Sequence, residues 1–82
     1  MIAVHPGEML AEWQTEHNMS SVELATRLGV SPNHVSEFRN GHVGLSPRLA
    51  LALERVTGIQ TRLWLAMQSD YAVSLLRPKA PR

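Results

Sequence analysis

An all-α domain of five short helices is the fold class that this 82-residue sequence predicts. Three observations carry it. Helix starts and stops recur along the chain, as Ser-Pro pairs, a Ser-x-x-Glu box and isolated glycines. Between them, apolar residues recur at three- and four-residue spacing. No stretch alternates with the period of two that a half-buried strand shows.

The elements follow in order. Pro6 suits the first turn of the first helix, where a missing N–H costs nothing. Met9, Leu10 and Trp13 give that helix its apolar stripe, and Asn18 fits its end. Ser20-x-x-Glu23 predicts a capping box opening the second helix, each side chain satisfying an orphaned backbone donor. Gly29 closes it by supplying a left-handed residue. Ser31-Pro32 opens the third helix and Asn40-Gly41 ends it. Ser46-Pro47 repeats the signal for the fourth, whose Leu49, Ala50, Leu53 and Val56 keep helical spacing up to Gly58. Thr61 is expected to cap the fifth, from about Arg62 to Leu75. Residues 77–82 hold Pro78, Pro81 and three cations, which predicts a frayed tail.

Composition narrows the function. The chain reads as a single domain, 1–82, above the roughly 40 residues below which metals or disulfides are usually needed, and 44% hydrophobic residues favour folding over disorder. It has no cysteine, hence no thiolate site and no disulfide framework. No signal-peptide pattern and no apolar run near the roughly 18 residues of a membrane span are present. A cytoplasmic protein with no membrane partner is expected. His5, His17, His34 and His42 lack the HxxxH and HExxH spacings, so neither a metal site nor any other cofactor is expected. With no nucleophile–base arrangement and no phosphate-binding glycine loop, the chain does not read as an enzyme.

Net charge is only +1, but it is unevenly spread. Residues 1–24 hold Glu8, Glu12, Glu16 and Glu23 without a Lys or Arg, whereas Arg27, Arg39, Arg48, Arg55 and Arg62 follow. Such a split points to two surfaces with different partners, or simply to solvated helix faces.

The third helix is the unusual one. At about 100° per residue, Val35 and Phe38 define its buried side. Asn33, Ser36, Glu37 and Asn40 lie opposite, with His34 and Arg39 on the flanks. Those groups match the donor and acceptor pattern of base edges in the DNA major groove: Asn can pair with adenine, Glu can accept from cytosine, and Arg can take guanine or a phosphate. In this reading Asn33, Ser36 and Glu37 read bases, while Ser21, Arg39 and Asn40 position the helix on the DNA backbone. Ser31, the cap, and His34, on the flank, complete the candidate DNA-binding set.

Residues 21–40 resemble the helix-turn-helix unit of the Xre (Cro/C1-type, lambda repressor-like) repressors. The small residue and the glycine of that pattern are Ala25 and Gly29, and its apolar places are Leu24, Leu28, Val30, Val35 and Phe38. With "HPGEML" at 5–10, "ELATRLGVS" at 23–31, "LALALERVTG" at 49–58 and "LWLAMQSDYAV" at 63–73, the chain is similar to the HigA/VapI-like antitoxins. The resemblance implies a five-helix Cro/C1-type domain that neutralises a HigB-like toxin, an mRNA endonuclease. It also implies a homodimer that binds double-stranded operator DNA and represses its own operon. Two alternatives stay open: a stand-alone repressor, and a toxin-neutralising module with vestigial DNA binding. The latter is favoured by His42-Val43, where relatives often carry basic residues. The sequence also departs from the family at Ala72, which follows Tyr71 where relatives usually have Asp.

Glu8, Glu12 and Glu16 recur every four residues on the first helix, and under this resemblance they are the candidate toxin-binding strip. The competing reading is a solvated face. The fifth helix is apolar around most of its circumference, which predicts either a central helix or one shared with a second copy. Trp64, Met67, Tyr71 and Leu75 are its candidate dimer contacts.

Overall fold

Each break in the sequence punctuation is a helix boundary in the computed structural model, which describes residues 4–77. The helices are α1 (Pro6–Glu16), α2 (Ser21–Leu28), α3 (Pro32–Arg39), α4 (Pro47–Thr57) and α5 (Thr61–Leu76), and there is no strand among the described residues. Pro78, Lys79, Pro81 and Arg82 of the expected tail lie outside the described residues.

Side-chain capping stops and restarts the chain. Ser31 Oγ accepts the His34 N–H at 3.0 Å and Ser46 Oγ accepts the Leu49 N–H at 3.1 Å. Gly29 and Gly58 take left-handed φ values of 77° and 78°, which glycine adopts without the Cβ penalty. Asn18 is left-handed too, at φ 55°, just past α1.

Two expectations need correction. Only half of the Ser20–Glu23 box forms: Ser20 Oγ accepts the Glu23 N–H at 3.1 Å, but the Glu23 carboxylate turns to Arg27 at 2.8 Å. A cation one turn away competes successfully with the neutral backbone donor. Nor does Thr61 cap α5. The N-cap is Gln60, whose side chain makes no capping bond. Instead the Glu54 carboxylate reaches over from α4, accepting from the Thr61 N–H at 2.8 Å and from its hydroxyl.

The core gathers one face of every helix: Leu10, Leu24, Ala25, Leu28, Val35, Phe38, Leu49, Ala50, Leu53 and Trp64, with Leu45 from the α3–α4 connection. α2 packs on α3 and α4, α1 on α3 and α5, and α4 on α5. The approach of α1 to α3 is backbone against backbone. A Cβ at Gly7 would overlap the Phe38 carbonyl oxygen and lie 2.8 Å from its carbon. Only glycine fits there.

Candidate nucleic-acid interface

α3 is fastened along one side and open on the other. Val35 and Phe38 are buried beneath it. Asn33 and Asn40 are exposed, while His34, Ser36 and Glu37 are half-buried along the same outer side. Asn33 Nδ2 stands 3.5 Å from Glu37 Oε1, one turn away. This holds an amide and a carboxylate side by side, and both retain polar atoms free to meet a partner. Ser31 occupies the tip of the helix with its oxygen committed to the cap.

Arg39 is differently placed from its sequence neighbours. Its Nη1 donates to Gln14 Oε1 at 2.9 Å and to Ser21 Oγ at 2.8 Å, while Gln14 Nε2 donates to Ser21 Oγ at 3.1 Å. The three side chains come from α3, α1 and α2, so the guanidinium ties the helix pair to α1. Its Nε is buried without a hydrogen-bond partner. Ser21 and Arg39, expected on the DNA backbone, are thus brought together, and one guanidinium nitrogen is already spent inside the protein.

Gln14 was missed by sequence reasoning. Its signal was there: it falls four residues after Leu10, on the buried stripe of α1. A polar side chain on a buried stripe needs a partner from elsewhere.

His5 is a second omission. It is 5% exposed and serves as the N-cap of α1, its Nδ1 accepting the Gly7 N–H at 2.9 Å. The sequence offered only the following Pro6 as a hint.

The acidic strip lies open. Glu8, Glu12 and Glu16 are all exposed. With Ala11, Thr15 and Arg39 they line a shallow groove of about 410 Å³. A neighbouring groove of about 490 Å³, lined by Gln14, Met19, Ser20 and Arg39 among others, begins beside it. The strip therefore adjoins the fastened edge of α3.

On α5 the candidate dimer residues separate. Trp64 is 0% exposed, inside the protomer's own core, and has no surface to offer a second copy. That corrects its assignment; the largest side chain of the helix was needed to fill the space against α1 and α4. Met67 and Tyr71 are half-buried, whereas Leu75 and Leu76 are 68% and 83% exposed. Among the described residues no group of His, Asp and Glu could hold a metal ion, and no helix is long and apolar enough to cross a membrane.

The Helix-turn-helix family model matches residues 10–64, which contain α2, the turn and α3. Virulence-associated protein I of Dichelobacter nodosus is 36% identical over 76 residues, 92% of this chain and 70% of that protein. An addiction module antidote protein of the HigA family from Coxiella burnetii is 32% identical. It covers 92% of this chain and 83% of its own, with a TM-score of 0.82.

The chain belongs to the HigA/VapI-like branch of the Xre-type helix-turn-helix family.

The antitoxin HigA of Pseudomonas aeruginosa, solved with the higBA promoter, is 31% identical. It covers 90% of this chain and 82% of its own, with a TM-score of 0.84. In this HigA/VapI-like chain the family's small residue, Ala25, lies 1% exposed, where a larger side chain would push α2 off its neighbours. Gly29 makes the left-handed turn between the two helices. Val35 and Phe38 seat α3 in the core.

Proposed function

We propose that this protein is the antitoxin of a HigBA-like pair, neutralising an mRNA-endonuclease toxin and binding operator DNA as an autorepressor. The observation that carries the DNA half is the outer side of α3, where Asn33, Ser36, Glu37 and Asn40 project from a helix locked to α1 and α2. Polar side chains projecting from the open face of a braced helix are what base readout requires. Membership of a family that includes an antitoxin solved with its promoter supports it further.

In this reading Asn33, Ser36 and Glu37 meet base edges. Ser21, Ser31, His34, Arg39 and Asn40 meet phosphates or orient the others. Two copies pair through the exposed apolar end of α5, with Met67, Tyr71 and Leu75 at the contact and the two recognition helices one turn of DNA apart, roughly 34–36 Å. The toxin meets Glu8, Glu12 and Glu16, because a ribonuclease that approaches RNA phosphates is basic and a carboxylate strip attracts it.

Asn33→Ala tests the base-reading role. Binding to the promoter upstream of its own gene should weaken by about 1–3 kcal/mol and lose preference at one base position. Equal losses on promoter and random DNA would remove Asn33 from the readout.

A second reading, toxin neutralisation with vestigial DNA binding, is favoured by the scarcity of free cations around α3. Arg27 is paired with Glu23, Arg39 with Gln14 and Ser21, and His42-Val43 follows the helix. A promoter shift that is absent at low salt, with toxin binding intact, would decide for it.

A further inference from the structure

Two side chains outside the helix-turn-helix unit hold the segment that follows α3. Residues 40–46 form no helix, and such a connection would ordinarily leave the end of α3 free to shift. Here its backbone is caught twice. His5 Nε2 stands 3.2 Å from the Val43 carbonyl oxygen, and Gln68 Oε1 of α5 accepts the Leu45 N–H at 2.9 Å.

The imidazole has no spare nitrogen. Nδ1 accepts from Gly7, which leaves the ring proton on Nε2, where it donates to Val43. The ring packs against Phe38 of α3 at 5.5 Å between centroids, and meets the Tyr71 ring of α5 edge-on at 4.9 Å. The segment passes within van der Waals reach of these two side chains. A Cβ at Gly41 would lie 3.8 Å from the His5 ring, and one at Gly44 would lie 3.6 Å from Gln68 Oε1. An N-cap by itself needs only one short acceptor, which Ser, Asp or Asn supplies at the surface. A buried imidazole in that place does more: it joins the start of α1, the end of α3 and the middle of α5 at one point.

We propose that His5 and Gln68 are positioning residues that lock the recognition helix to α5 and thereby set the spacing of the two recognition helices in a dimer. This rests on the reading above, in which α3 faces operator DNA and α5 pairs two copies. α3 has no direct packing of its own on α5 comparable to that of α1 or α4. The two are joined through α1, which packs on both, and through the connection that His5 and Gln68 grip directly after α3.

Two variants separate this role from simple folding. His5→Asn keeps an acceptor for the Gly7 N–H but is too short to span to Val43. Gln68→Met keeps length and helix propensity but removes the acceptor. Each is measured against wild type by hydrogen exchange at the Leu45 amide, and by affinity for the full two-fold promoter site and for an isolated half-site.

Leu45 exchange should quicken, and full-site affinity should fall, by about tenfold in both variants, the order of effect of taking one partner from a part-buried hydrogen bond. Half-site affinity should stay within about twofold, because the reading face of α3 is untouched. Unchanged Leu45 exchange in His5→Asn overturns the clamp. Equal losses on half-site and full site overturn the spacing role. Gln68→Met carries the same test should His5→Asn fail to fold. Wild-type protein that binds neither DNA would instead remove the functional reading and the spacing role together, with Leu45 exchange still deciding whether the clamp exists.

Discussion

Gly7 and Gly29 are both glycines of necessity, for unrelated reasons. Gly7 has ordinary backbone angles but no room, since the Phe38 carbonyl of the recognition helix occupies the space of a Cβ. Gly29 has room, with nothing within 4 Å, but a φ of 77°. Gly29→Ala should therefore cost only the left-handed backbone penalty, about 1–2 kcal/mol. Gly7→Ala must push two backbones apart and should cost about 3 kcal/mol or more, the upper end of overpacking effects. Urea unfolding of both variants would check the order, and a Gly7→Ala variant as stable as wild type would mean that α1 sits farther from α3. Arg39 shows the opposite economy at this scale. Its guanidinium joins three helices through Gln14 and Ser21, so Arg39→Ala would strip a fastening as well as the proposed DNA contact.

At the scale of elements, four helices cap themselves and one does not. α1, α2, α3 and α4 open on a side chain of their own N-cap residue. α5 relies on Glu54, across the α4–α5 connection. The Thr61 hydroxyl first, and then its backbone N–H, hold the Glu54 carboxyl below its ordinary value of 4.5. A depressed carboxyl stabilises the fold above its unfolded pKa, and that contribution is lost as pH falls through the folded value. Glu54→Gln should accordingly lower the melting temperature at neutral pH, and the difference from wild type should close in acid. A gap of constant size down to pH 3, about a unit below the free side chain, would show that the charge of Glu54 does not act on α5.

For the molecule as a whole, the placement of the acidic strip matters more than its charge count. Glu8, Glu12 and Glu16 share a groove with Arg39, so the proposed toxin surface borders the proposed DNA surface instead of lying on the far side. Changing all three to Gln leaves helix propensity nearly unaltered. Toxin association should slow at low ionic strength, with the difference fading as salt screens the strip. Operator binding should be retained, because the reading face of α3 is untouched. Surface capture at two ionic strengths gives both numbers. Unchanged toxin association at low salt would leave the strip as a solvated face.

The local chemistry of the chain was legible in its sequence. Serine caps, prolines in first turns and left-handed glycines act within four residues of themselves, so the breaks before α3 and α4 and the buried pair Val35 and Phe38 followed from local sequence. What depended on two helices meeting was not legible. Glu23 had two partners within reach, and a cation won. Trp64 looked like a surface contact because helix periodicity marks an apolar face without saying what covers it. Only the packing of α5 into the shared core buried it. His5, Gln14 and Gln68 are polar residues whose partners lie on other elements, at Val43, Arg39 and Leu45. Such bonds leave no periodic trace, because they exist only where the tertiary fold brings a donor to an acceptor.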